Sequence, residues 1–118
     1  MKFTIHRDPL LDALQRALSV VEKKNTVQIL GNVLLSVTEN EVSLSATDLE
    51  VGIQITIPVK TQETGKVTLS AKQLHDIVKE LPSRDLVLSK KENNWVEILS
   101  GKSKFNIVSL AADEFPAL

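Results

Sequence analysis

The chain has no cysteine and no tyrosine, and its aromatic content is one tryptophan (Trp95) and three phenylalanines. Without cysteine there can be no disulfide framework, thiolate metal site or Cys nucleophile. So few aromatics leave no platform on which single-stranded bases could stack. Glycine is equally sparse: Gly31, Gly52, Gly65 and Gly101 are scattered and form no loop that could cradle a phosphate. No serine sits in a Gly-x-Ser-x-Gly elbow. The two histidines, His6 and His75, belong to no His-x-x-x-His or Glu-x-x-His pattern, so neither a metal nor a cofactor is expected. No apolar run approaches a signal peptide or a membrane span, which predicts a cytoplasmic protein with no membrane partner.

What is present is the composition of an ordinary globular domain, 42% hydrophobic and 25% charged, in 118 residues that leave room for one domain only. Residues 2–6, KFTIH, alternate as a strand does. Asp8 then offers a helix cap and Pro9 a first helical position. Leu10, Leu11, Leu14, Leu18 and Val21 recur at three- and four-residue spacing, predicting a helix from 9 to about 22. NVLLSVT, EVSLSAT and LEVGIQITIPV each alternate, with Thr38-Glu39-Asn40 as the turn between the first two.

The pattern then restarts. KVTLS is a short strand, Ser70 and Gln73 suit a capping box, and Leu74, Ile77, Val78 and Leu81 mark one face of a second helix stopped by Pro82. DLVLSK, NWVEILS and KSKFNIVSL follow, punctuated by Asn93-Asn94 and Gly101. The order is β-α-β-β-β twice. It predicts an α+β domain with internal pseudo-twofold symmetry, in which two helices lie side by side on two small antiparallel sheets and share one polar outer face.

A formal net charge of −1 argues against a strongly basic nucleic-acid binder, so any such role rests on uneven charge placement. Residues 1–24 carry Lys2, Arg7, Arg16, Lys23 and Lys24 against Asp8, Asp12 and Glu22, whereas residues 39–64 carry Glu39, Glu41, Asp48, Glu50 and Glu63 against Lys60. The helix side therefore reads as mildly basic and the strand side as acidic. Arg16, Lys72 and Lys79 could follow a phosphate backbone without reading sequence. The blander reading is a solvated helical face. Asp48 and Glu50 flank Leu49 and invite an acid–base or metal role. If ATDLEVG is extended, they are instead an exposed acidic strand face. No catalytic residue is expected.

KFTI at the start, ILGNVLL at 29–35, TDLE at 47–50, ELP at 80–82 and KFNIVSL with FPAL at the end, in this order and spacing, resemble the first domain of the bacterial sliding clamp family, the beta subunit of the replicative DNA polymerase III. The resemblance covers the whole chain. It implies that residues 1–118 are one DNA-clamp domain, the first third of a three-domain subunit. Two such subunits would close head to tail into a ring around duplex DNA, with helices lining the hole and sheets outside. The protein would be a non-catalytic processivity factor that tethers the polymerase, with polymerase and clamp loader docking on later domains.

Carried over residue by residue, the resemblance implies DNA contacts at Lys24 and Lys72. It implies a subunit contact at Phe105 and Ile107, flanked by Lys102 and Lys104. A basic position of the family's interface is Gln73 here, so that ionic contact is missing. The chief rival is a small α+β protein-binding module whose C-terminal strand adds to a partner's sheet. A less supported rival is an enzyme using Asp48 and Glu50.

Overall fold

The computed structural model describes residues 1–21 and 28–116. In chain order the elements are β1 (Lys2–His6), α1 (Arg7–Leu18), β2 (Asn32–Val37), β3 (Glu41–Thr47), β4 (Gly52–Pro58), β5 (Lys60–Glu63), β6 (Gly65–Ser70), α2 (Ala71–Glu80), β7 (Asp85–Lys90), β8 (Trp95–Ser100) and β9 (Ser103–Val108). They form two helices and two antiparallel sheets, ordered β5-β1-β7-β8-β9 and β4-β3-β2-β6.

The two halves exchange their first strands. β1 pairs with β7 of the second half, and β6 pairs with β2 of the first. Each sheet is thus a three-strand meander joined by the opening strand of the other repeat, with β5 added beyond β1 at the edge of the first. The inward residues of each strand alternate as the pleat requires: Phe3 and Ile5, Val33, Leu35 and Val37, Leu44 and Ala46, Leu86 and Leu88, Val96 and Ile98 are all buried in one cluster. Helix α1 adds Leu10, Ala13, Leu14 and Ala17 to it, and α2 adds Ala71, Leu74 and Val78. The small residues among these let the two helices pack against each other on top of the sheets.

Several local expectations change. Helix α1 begins at Arg7, and its cap is His6, whose Nδ1 accepts from the Asp8 amide at 3.1 Å. Asp8 therefore lies in the first turn, where its charge suits the helix dipole, and Pro9 is tolerated because first-turn amides have no intrahelical acceptor. The predicted end near 22 moves back to Leu18. Ser70 caps α2 as expected, accepting from the Gln73 amide at 3.2 Å.

β5 escaped the sequence reading because Lys-Thr-Gln-Glu has no apolar alternation; it is held by pairing with β1 at the sheet edge. Strand β4 starts at Gly52 and not at Leu49. Residues 48–51 are a turn in which the Asp48 carboxylate accepts from the amides of Glu50 (2.9 Å) and Val51 (2.7 Å) and Leu49 adopts φ 80°. Asp48 is thus a turn-former and not half of an acidic strand face. These two bonds, Val51 first, hold its carboxyl below the usual carboxylate range. Asn93 and Asn94 both take positive φ between β7 and β8, and Gly101 (φ 56°) turns β8 into β9, as predicted.

Candidate nucleic-acid interface

Arg16 lies on the exposed side of α1, and Lys72 and Lys79 lie on the exposed side of α2. The helices are locked together at one end. The Arg7 guanidinium donates from Nε to the Val78 carbonyl (3.1 Å) and from Nη2 to that of Lys79 (2.8 Å), satisfying carbonyls in the last turn of α2. Asp8 in turn accepts from the Ser83 hydroxyl at 2.7 Å. Lys72 and Lys79, seven residues apart, share one stripe of α2 with Asp76 between them. Lys24 falls outside the described residues.

Within the two described helices the charge is even. Helix α1 carries Arg7 and Arg16 against Asp8 and Asp12, and α2 carries Lys72 and Lys79 against Asp76 and Glu80, so four cations meet four carboxylates and the helices balance. The basic excess of residues 1–24 rested on Lys2, which is in β1, and on Lys23 and Lys24, outside the described residues.

Three of the four cations are also paired within their own helix, Arg7 through Nη1 with its neighbour Asp8 at 3.2 Å. Arg16 Nη2 lies 3.2 Å from Asp12, and Lys72 Nζ lies 3.1 Å from Asp76. His75 Nδ1 is 3.1 Å from the other Asp76 oxygen, and since a carboxylate only accepts, this nitrogen carries the proton. His75, followed by Lys72, keeps the Asp76 carboxyl below the ordinary range. Sequence reading missed these partners, although the four-residue spacings in DALQR and KQLHD signal them.

At the edge of the five-stranded sheet, β9 is the last strand and is paired only with β8. The Ser109 amide donates to the Asn94 carbonyl at 2.8 Å, which sets the parity of the ladder. Ser103, Phe105 and Ile107 bond to β8, while the backbone N–H and C=O groups of Lys104, Asn106 and Val108 point to the open edge. The side chains alternate the other way. Phe105 is half-buried against the core and Ile107 is only 4% exposed, beneath the layer to which α2 belongs. Ile107 is therefore a core residue of this chain first, and what β9 offers a neighbour is mainly backbone, with Phe105 at the rim. Lys102 is exposed in the β8–β9 turn, and Lys104 stands 4.0 Å from Glu97 on the outer face. Phe115 is buried beside Leu34, Ser45 and Gln54 on the outer face of the second sheet.

Residues 1–118 match the family model described as DNA polymerase III beta subunit, N-terminal domain. The chain belongs to this family. It is 37% identical to the beta sliding clamps of Staphylococcus epidermidis and Staphylococcus aureus, in each case over all of this chain and 33% of the relative. Among solved structures, the DNA polymerase sliding clamp of Caulobacter crescentus superposes with a TM-score of 0.95 at 40% identity, and that of Bacillus subtilis with 0.96 at 32%. The whole of this chain aligns to 32% and 33% of those chains, respectively. The clamp domain thus spans about a third of the length of the relatives it matches. Among the described residues, no helix is long and apolar enough to cross a membrane.

Proposed function

We propose that this chain is the first of three domains of a sliding clamp subunit, that two subunits join head to tail into a ring around duplex DNA, and that the ring tethers the replicative polymerase in the cytoplasm. In this reading α1 and α2 face the DNA, with Lys24, Lys72, Arg16 and Lys79 as its backbone contacts, and the open edge of β9 receives a strand of the facing subunit. Polymerase and clamp loader bind later domains. The ring makes and breaks no bonds; it holds DNA by enclosure.

The observation that carries this reading is the end-to-end match of the chain to the N-terminal domain of the family while it fills only a third of each relative. The near-zero charge of the helices fits enclosure better than grip, since affinity for phosphate grows with each cation neutralised.

The test uses the full-length protein loaded on nicked circular DNA. A topological clamp stays on the circle and is lost when the DNA is linearised. A Lys24→Glu, Lys72→Glu double variant should load poorly or leave sooner at unchanged fold stability, because exposed charges alter stability by no more than about 0.5 kcal/mol. Retention on linear ends equal to that on circles would overturn the ring.

A further inference from the structure

We propose that Asp12 and Asp76 compete with the DNA phosphates for Arg16 and Lys72, so that the helices slide along the duplex and do not grip it. This rests on the reading above that α1 and α2 face DNA.

Lys72 is the second residue of α2, a position where the helix dipole disfavours a cation and where α2 has no first-turn carboxylate. Asp76, one turn further on, is the less favourable partner order for a four-residue pair, yet the contact closes at 3.1 Å. His75 is what steadies it: its Nδ1–H holds one Asp76 oxygen while Lys72 takes the other. Asp76 is ionised at neutral pH, and the same bonds hold its carboxyl below the ordinary range. On α1 the Asp12–Arg16 pair has the favourable order, with the acid nearer the N-terminus.

All four side chains are more than half exposed, so neither pair is a buried structural link and each is weak enough for a phosphate to displace. A phosphate that takes Lys72 or Arg16 still meets a carboxylate within one helical turn. The pairs thus lower the number of counterions released per contact, and with it the cost of moving from one phosphate to the next.

The experiment compares full-length parent, an Asp12→Asn, Asp76→Asn variant and an Arg16→Gln, Lys72→Gln variant. It reads equilibrium binding to a short linear duplex between 50 and 200 mM salt, and one-dimensional diffusion of the loaded ring. Freeing two cations should steepen the salt slope by about two per subunit, so that the affinity lost across this range grows roughly tenfold per subunit and about a hundredfold for the two-subunit ring. Diffusion on DNA should slow, and the Gln variant should move both readouts the other way. If the Gln variant flattens the slope while the Asn variant matches the parent, the competition is overturned and the helix-facing reading stands. If neither variant moves either readout, the helices do not face DNA and both fall. If only the Asn variant responds, the carboxylates act by general repulsion and the pairing is overturned. Unchanged melting of both variants is the control.

Discussion

Thr68 holds Leu110 through three hydrogen bonds: its amide donates to the Leu110 carbonyl (3.1 Å), its carbonyl accepts from the Leu110 amide (3.0 Å), and its hydroxyl donates to the same Leu110 carbonyl (3.0 Å). Thr68 is fully buried, and the Asn32 side-chain amide donates to its hydroxyl at 3.1 Å. After β9 ends one edge of the first sheet, this node stitches the chain to β6, the edge of the second. It satisfies the outward groups of Thr68 on that edge strand and seats Phe115 on the outer face.

Replacing Thr68 by Val keeps the shape and removes the hydroxyl, leaving the Asn32 amide without its acceptor and Leu110 with one donor fewer. An unsatisfied buried donor costs about 1–3 kcal/mol. Urea unfolding of the 118-residue chain should show a loss of that size for Thr68→Val and a much smaller one for Thr68→Ser. A Val variant as stable as the parent would show that the hydroxyl contributes nothing.

The position of Ile107 separates folding from assembly. A charge placed at a side chain only 4% exposed should unfold the domain, at a cost of at least about 3 kcal/mol, so Ile107→Asp is a poor probe of the subunit contact. Asn106→Pro is the better one: it removes an outward amide without touching the ladder to β8, and edge strands tolerate proline. In the full-length protein, loss of one hydrogen bond of about 1 kcal/mol should weaken the dimer at least fivefold by sedimentation, with circular dichroism unchanged. A dimer of parental affinity would remove β9 as the seam.

The duplicated β-α-β-β-β order is legible in the sequence because each half marks its helix with leucines at three- and four-residue spacing and its strands with strict alternation. The exchange of β1 and β6 between sheets is not legible, since pairing partners distant in sequence leave no local trace. β5 is invisible because a polar edge strand buries too little to show a period. At the candidate site the cations were found by counting charge, whereas their neutralisation depends on which carboxylates share a helical stripe, as Asp76 does with Lys72. The burial of Ile107 in this chain's own core is not legible, because alternation shows that one face of β9 is apolar but not what covers that face.

Acid should loosen two turns before it attacks the core. Asp8, bonded first by Ser83 and then by Arg7, and Asp48, bonded by the amides of Val51 and Glu50, both have carboxyl pKa values lowered from the ordinary 3.8. A group whose pKa falls on folding stabilises the native state above its unfolded value, and that contribution is lost as pH drops through the folded one. Stability should therefore decline from about pH 4 downward. Carboxyl NMR should show both residues titrating below 3.8, and Ser83→Ala should return Asp8 toward that value. An unmoved Asp8 midpoint in that variant would show that the hydroxyl is not the cause.

Trp95, the sole tryptophan, turns the β9 edge into an optical measurement. It is 43% exposed on the outer face of its sheet and lies opposite Val108, itself 54% exposed at the edge. The ladder parity makes this a non-hydrogen-bonded pair, in which facing side chains approach closest. A strand added to β9 would lie directly beside Val108 and one strand from the indole, removing water from both. In the isolated chain the emission should therefore be that of a wet indole, readily quenched by acrylamide. In the full-length protein, dilution through the dimer–monomer transition should shift the emission to the red, and a Trp95→Phe variant, which subtracts any other tryptophan, should lose that change. Emission that stays constant while sedimentation reports dissociation would place the seam away from this edge.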